Sequence, residues 1–377
     1  MKVYFYTLGC RLNQAETDSY QEALAKKGFA ITIDNSDFDI AVVNTCAVTH
    51  KADREARQSI RKIKRQCPKA KIVMTGCSSE KLEEVDYYIK DKENFVKEFI
   101  KIFPKSDHLH SHQIKEKVKV RANIKIQTGC DNHCTYCYTR IPRGRSRSFS
   151  PNDIIRQIKN KEKQGVKEVI LTGVNIGQYS SLIGLIKNIL KETNIPRIRL
   201  SSINPEYVYD NKEFKNLFKN PRVCQHLHLS LQSGSDAILK KMNRHYTSAQ
   251  YLKIVRDYYK AYPLFGFTTD VIIGFPGETE KDFKQTCALV KKCGFLKIHI
   301  FRYSKRQGTP AAKMPHQVPE NIKKQRLNIL EKINQDLQKK FRKKMKGKKL
   351  DVLFEGKVGD YLVGHAGNYL FVKKKYL

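Results

Sequence analysis

The stretch Ala122–Cys137, ANIKIQTGCDNHCTYC, reads as a strand over Ala122–Gln127 followed by a loop that carries Cys130-x-x-x-Cys134-x-x-Cys137. Three thiolates close together suit an iron–sulfur cluster, since soft sulfur ligands stabilise iron and each can deprotonate on binding. Three ligands leave one iron of a four-iron cluster open. That iron can chelate the amino and carboxylate groups of S-adenosylmethionine, and an electron delivered through it can break a sulfonium C–S bond. Two other readings compete. One is half a zinc site on Cys134 and Cys137, for which only His133 is a further ligand inside the motif; the other is a thiol pair used in redox exchange. The spacing favours the cluster.

Outward from this loop the chain keeps a regular βα rhythm. Strands are expected at Glu168–Thr172, Arg197–Ser202, His226–Leu231, Thr268–Ile273 and Lys297–Tyr303, with helices between them. Ser150-Pro151 opens the first of those helices as N-cap and N1, and Gly165 follows its last turn. Six parallel strands with crossovers make a partial TIM-like barrel, in which chemistry sits where strands end. Cys130, Gly173, Ser233, Gly274 and Ser304 fall just past such ends.

Upstream, Val3–Leu8, Asp39–Asn44 and Lys71–Thr75 read as strands, with helices over about Gln14–Lys27 and Thr49–Arg65, the pattern of a doubly wound α/β domain. Cys10, Cys46 and Cys77 each close one of these strands, in TLGC, VNTC and MTGC. Strand ends in such a sheet converge on one crevice, so three thiolates distant in sequence can meet there. The other reading is that small apolar cysteines pack at strand ends. Cys67, Cys224, Cys287 and Cys293 read as core or inert thiols.

Downstream, Leu327, Leu330, Ile333, Leu337, Phe341 and Met345 recur every three or four residues among many Lys and Arg, which predicts one amphipathic helix within Pro319–Lys349 with a basic outer face. The tail alternates in short runs broken by glycines and reads as a small β-unit. The domains are therefore 1–104, a linker over 105–121, 122–318, a helix over 319–345, and 346–377.

Composition bounds the function classes. Hydrophobic residues at 40% and charged residues at 29% describe a chain that buries a core and is not disordered. No apolar run reaches bilayer length, and the opening MKVYFYTLGC reads as a strand without a cleavage region, so a cytoplasmic protein is expected with no membrane partner. Lys and Arg total 72 against 37 acidic residues, a net +35, which favours a polyanion such as RNA or reflects a lysine-biased genome. Ten cysteines in such a compartment point to metal or redox chemistry more than to disulfides.

With these motifs in hand the chain resembles the radical S-adenosylmethionine methylthiotransferases from Lys2 to about Gln317, and more weakly to its end. The resemblance rests on TLGCRLNQAE, VVNTCAVT, VMTGC, GCDNHCTYC, LTGVNIG, HLHLSLQSGSDAILKKMNRHYT, TTDVIIGFPGETEKDF and YSKRQGTPAAKM. It implies an auxiliary four-iron cluster on Cys10, Cys46 and Cys77 and a radical-forming four-iron cluster on Cys130, Cys134 and Cys137. Tyr136 then matches the aromatic that contacts cofactor adenine. Gly173, Asn175, Gln232, Gly274 and Gly277 sit where strands meet the cofactor, with turn chemistry as the other reading of the glycines. Arg143, Arg145 and Arg147 form a positive run suited to a carboxylate or RNA phosphate, or to a solvated face.

Within the family, TLGCRLNQAE and VGHAGNYLFV are similar to the branch acting on N6-threonylcarbamoyladenosine. The implied reaction is methylthiolation of carbon 2 of that nucleoside at tRNA position 37. One S-adenosylmethionine supplies methyl and another a 5′-deoxyadenosyl radical, with no side-chain acid or base as catalyst. The implied partners are the tRNA anticodon stem-loop, an electron donor and a sulfur source, and the expected state is a monomer. Other branches act on isopentenyladenosine in tRNA or on a ribosomal-protein aspartate, and a zinc-stabilised RNA-binding module is the reading from a different class. Family members end in an RNA-binding β-domain called TRAM; only a shortened TRAM-like unit fits into 346–377.

Overall fold

The computed structural model describes residues 1–46, 50–78, 81–104 and 119–376, so most of the expected linker lies outside the described residues. The chain divides into two compact units, one comprising residues 1–117 with 138–144, the other 118–137 with 145–377. Among the described residues no helix is long and apolar enough to cross a membrane.

In the first unit, β1 (Lys2–Thr7), β2 (Ala30–Thr32), β3 (Ile40–Thr45), β4 (Lys71–Gly76) and β5 (Tyr87–Tyr88) form one parallel sheet in the order β2-β1-β3-β4-β5. Side chains alternate along β3, so Ile40 and Val42 pack on one face and Ala41 and Val43 on the other. Helices Arg11–Lys26 and Phe95–Ile102 cover the first face, and helix His50–Gln66 covers the second with Ile60 and Ile63. Both faces are thus buried, as an all-parallel sheet requires. Gly28 ends the first helix at φ +80°, the left-handed position expected of it. The edge strands β2 and β5 and the eight-residue helix were not legible as elements, being too short for a periodic pattern.

In the second unit, β6 (Arg121–Lys125), β9 (Glu168–Thr172) and β10 (Arg197–Leu200) are parallel neighbours, with β7 (Gln127–Thr128) and β8 (Arg147–Ser148) as a small antiparallel pair. Just beyond β10, β11 (Ser202–Ile203) pairs with β12 (His226–Leu229), which continues to β13 (Gly266–Ile273) and β14 (Lys297–Arg302), all parallel. Six strands therefore follow one another in chain order. Ser150 and Pro151 occupy N-cap and N1 of helix Pro151–Lys163, although the Ser150 hydroxyl makes no capping bond.

One face of this array is apolar and meets the helices: Leu171, Ile198, Leu227, Leu229, Phe267 and Val271 join Ile158, Ile186 and Tyr258 in one core. The alternate residues Glu168, Arg199, His226, His228, Thr268 and Asp270 are polar. At the strand beginnings Glu168, fully buried, meets Arg199 at 2.9 Å, Arg121 at 2.8 Å and Arg197 at 3.0 Å. Burial would raise the Glu168 carboxyl, but these arginines outweigh it and draw it down to about 2.

The tail forms an antiparallel meander of β15 (Val352–Val358), β16 (Tyr361–Ala366) and β17 (Phe371–Lys375), which is part of the second unit. It packs on those same strand beginnings. Arg199 donates to the carbonyls of Ala366 and Gly367 at 3.1 and 3.0 Å, and Arg197 to that of His365 at 3.2 Å. Gly266 is required there, because a Cβ would lie 2.0 Å from the Asn368 carbonyl oxygen. The helix expected within 319–349 spans Glu320–Met345. Its inner face is less apolar than expected, since Lys323 and Arg326 are buried, Arg326 on Glu278 at 2.7 Å.

Candidate metal and cofactor sites

The first unit gathers its three strand-end cysteines around one helix start. Cys10 is the N-cap of helix Arg11–Lys26, which places Asn13 one turn in. The Asn13 amide donates to the carbonyls of Leu8 and Thr45 at 2.9 and 2.8 Å, fastening the ends of β1 and β3 together. Its Oδ1 lies 3.7 Å from the Cys10 sulfur and 3.9 Å from the Cys77 sulfur. Cys46 enters against Gly9, where a Cβ would stand 2.9 Å from the Cys46 sulfur and where φ is +96°. Only glycine leaves this space.

Cations face the same point. Arg143 donates Nε–H to the Cys77 sulfur at 3.3 Å and grips Glu16 through both terminal nitrogens, at 2.8 and 3.0 Å; Lys92 Nζ lies 3.5 Å from that sulfur. Of the readings the sequence allowed for Arg143, a carboxylate, an RNA phosphate or a solvated face, the structure shows a carboxylate, the buried Glu16 of the same unit. Arg145 and Arg147 are exposed. The donor set fits an anionic cluster: three cysteines, of which Cys77 is buried, would carry negative charge as thiolates, and Lys92 and the Glu16-paired Arg143 place N–H donors beside the Cys77 sulfur.

In the second unit Cys130, Cys134 and Cys137 share one loop, with a turn closed by Cys137 N–H on the Cys134 carbonyl at 3.0 Å. The loop is fastened to the segment Lys241–Asn243: Thr135 donates to the carbonyls of Lys241 and Met242 at 2.8 and 3.1 Å, and Asn243 to that of His133 at 3.0 Å. Met242 and Asn243 open the MNRHYT motif. It also brings Arg244, whose Nη1 lies 3.4 Å from the Cys134 sulfur and whose Nη2 donates to Asn204 Oδ1 at 3.0 Å. Burial, reinforced by the neighbouring Cys134 and Cys137, pushes the Cys130 thiol up to about 11, with the Asn132 N–H pulling against it. Among the described residues no three His, Cys, Asp or Glu side chains are gathered for a single metal ion.

Gln127 joins this loop to the next. Its amide donates to the Gly129 carbonyl at 2.7 Å, and its Oε1 accepts from the backbone N–H groups of Val174 and Asn175 at 2.9 and 3.2 Å. A Cβ on Gly173 would meet that Oε1 at 2.6 Å. Asn175 is 3% exposed, and among the described residues neither polar atom of its side chain has a partner. Leaving such groups unmet costs about 1–3 kcal/mol each, which a bound polar ligand would recover. Tyr136 packs beside Phe275, Tyr303 and Met242. Gln232 holds φ +64° at the end of β12, with its N–H on the Asp270 carbonyl at 2.8 Å. Gly274 and Gly277 are turn positions at φ +70° and +73° whose open sides face Lys323 and Lys241.

Sequence reasoning had missed Asn13, Glu16, Lys92, Gln127 and Arg244. Asn13 and Glu16 carried a signal, standing three and six residues after Cys10, on the helix face it begins.

Residues 124–290 match the Radical SAM superfamily, and residues 2–97 match Uncharacterized protein family UPF0004. A threonylcarbamoyladenosine tRNA methylthiotransferase of Thermotoga maritima is 39% identical over 93% of this chain and 85% of its own. The chain belongs to the radical S-adenosylmethionine methylthiotransferases. A tRNA-2-methylthio-N(6)-dimethylallyladenosine synthase of Clostridium novyi is 34% identical over 94% of this methylthiotransferase and 86% of its own length. In fold it is similar to the radical S-adenosylmethionine methyltransferase TsrM from Kitasatospora setae, with a TM-score of 0.59 at 14% identity, covering 82% and 76% of the two chains. The cofactors of this methylthiotransferase are S-adenosylmethionine and four-iron clusters.

Proposed function

We propose that this chain methylthiolates carbon 2 of N6-threonylcarbamoyladenosine at position 37 of tRNA, with Cys10, Cys46 and Cys77 holding one four-iron cluster and Cys130, Cys134 and Cys137 the other. In this reading the six-strand array is the partial TIM-like barrel of a radical domain, and the tail a shortened TRAM-like unit. The observation that carries the reading is the 39% identity to a threonylcarbamoyladenosine enzyme across nearly the whole chain, supported by the meeting of Cys10, Cys46 and Cys77 around Asn13. When bound, the two clusters and S-adenosylmethionine supply the radical and the sulfur that an unactivated aromatic C–H bond requires.

The chain's own groups position and shield. Arg244 offers a cation beside Cys134, and the unmet amide of Asn175 offers a donor and an acceptor to S-adenosylmethionine. Tyr136 closes the loop with an apolar ring. The target base must leave its stack, which an anticodon loop permits more readily than a duplex. The net +35 supports tRNA as the partner, and an electron donor and a sulfur source complete the reaction.

Nucleoside mass spectrometry of tRNA from a deletion strain and its complement tests the substrate. The methylthio form of threonylcarbamoyladenosine should vanish and return. The dimethylallyladenosine synthase at 34% identity keeps that nucleoside as the second candidate, and loss of its methylthio form instead would replace the first.

A further inference from the structure

Residues 138–144 follow Cys137 in sequence, yet they are part of the first compact unit, and Arg143 is their deepest anchor there. The side chain is 6% exposed on a residue basis, and its guanidinium is used on three sides: Glu16 takes both terminal nitrogens, Asn13 Oδ1 accepts from Nη2 at 2.7 Å, and Nε–H points at the Cys77 sulfur at 3.3 Å. The cysteine sulfurs here are thiols and stand in for the iron-bound thiolates of the loaded protein. In that state Cys10 and Cys77 no longer carry the S–H groups that now point at Asn13 Oδ1, so an acceptor oxygen would face two anionic sulfurs. The Arg143 N–H on that oxygen removes the conflict. A thiolate is also a stronger acceptor for Nε–H than a thiol.

We propose that Arg143 is a positioning residue for the cluster on Cys10, Cys46 and Cys77, which raises the reduction potential of that cluster through its N–H on the Cys77 sulfur, while Glu16 holds the guanidinium in place and moderates its charge. The inference rests on the ligand assignment under Proposed function. Its physical basis is that cluster potential follows net charge and the hydrogen bonds to sulfur: a cationic donor favours the reduced, more negative state, and a nearby carboxylate opposes it. The two partners therefore act with opposite sign.

The test uses the full chain carrying C130A, C134A and C137A, so that only the first cysteine set can hold iron. Iron content and the midpoint potential, followed by the electron-spin signal of the reduced cluster, are measured for this background and with R143Q, R143K or E16Q added. R143Q should lower the potential, E16Q should raise it, and R143K should fall between R143Q and the background. Unchanged potentials at full iron content, or shifts of the same sign for R143Q and E16Q, would mean that Arg143 merely ties residues 138–144 down, and would overturn the proposal. If R143Q loses its iron, E16Q decides alone, since it keeps the cation and must still raise the potential. A background that binds no iron would sink the ligand assignment instead, a result distinct from any of these.

Discussion

The first unit collects its cysteines from the ends of three different strands and pairs the arginine beside them with a carboxylate, whereas the second carries all three on one loop and, among the described residues, leaves its arginine without an ion pair, Glu206 acting on it only from a distance. Arg143 is matched by Glu16 at 2.8 Å. Arg244 has an amide oxygen and the Tyr246 ring, 5.1 Å from its guanidinium carbon, and among the described residues no ion pair. The difference teaches that equal sets of three cysteines can be given different charged surroundings. A cation beside Cys134 with no ion pair among the described residues favours an anionic ligand such as the carboxylate of S-adenosylmethionine, while the Arg143–Glu16 pair beside Cys77 adds little net charge to its site.

The largest effects should come from the cysteines themselves. C134A should cut iron from about eight to about four per chain and abolish 5′-deoxyadenosine formation. C77A should cut iron equally and spare that formation. Metal analysis with product quantification would break the division of labour if C77A also stopped cofactor cleavage.

A control for global stability lies at the other end of the second unit. E168Q leaves the buried Arg197 and Arg199 and the half-buried Arg121 without their shared carboxylate and should cost about 3–5 kcal/mol in chemical unfolding. Because the folded carboxyl is drawn down to about 2, its contribution is complete above the ordinary value of about 4.3 and fades as pH falls through about 2. E168Q should remove that part of the acid dependence. Iron loss at the first cysteine set in this variant would show that the two units are not energetically separate. The same network argues that deleting residues 346–377 strips the tail carbonyls from Arg197 and Arg199 and leaves them Glu168, so that the deletion lowers stability whatever it does to tRNA affinity.

R244Q keeps every cysteine and should reduce cofactor cleavage per bound iron by roughly ten- to a hundredfold, the usual scale for a partner of a metal ligand. An unaltered rate would remove the contrast with Arg143. T135V, which deletes the 2.8 Å bond to the Lys241 carbonyl, should cost only about 1 kcal/mol and be seen as a small fall in thermal midpoint.

Much of this was legible beforehand, for reasons that differ by element. Strand Glu168–Thr172 and the βα order follow from short apolar runs between capped helices, a local signal. The loop Cys130–Cys137 announces itself because its three cysteines lie within eight residues of one another. Arg143 stayed open between a carboxylate, a phosphate and a solvated face because a run of arginines looks the same in sequence whether solvated or buried, and the carboxylate that decides it lies 127 residues away. The tail was legible as strands, but not as the cover over Glu168, Arg197 and Arg199.

By itself, then, the amino-acid order determined the two βα series, the loop cysteines and the family, since periodicity, turn residues and contiguous motifs are properties of neighbours along the chain. The strand-end positions allowed Cys10, Cys46 and Cys77 to meet, but tertiary structure alone decided that they do so beside Asn13, that Arg143 joins them, and that the tail closes on the strand beginnings. Those contacts depend on sheet order and on which buried charges find partners, and both are settled only when distant segments compete for the same space.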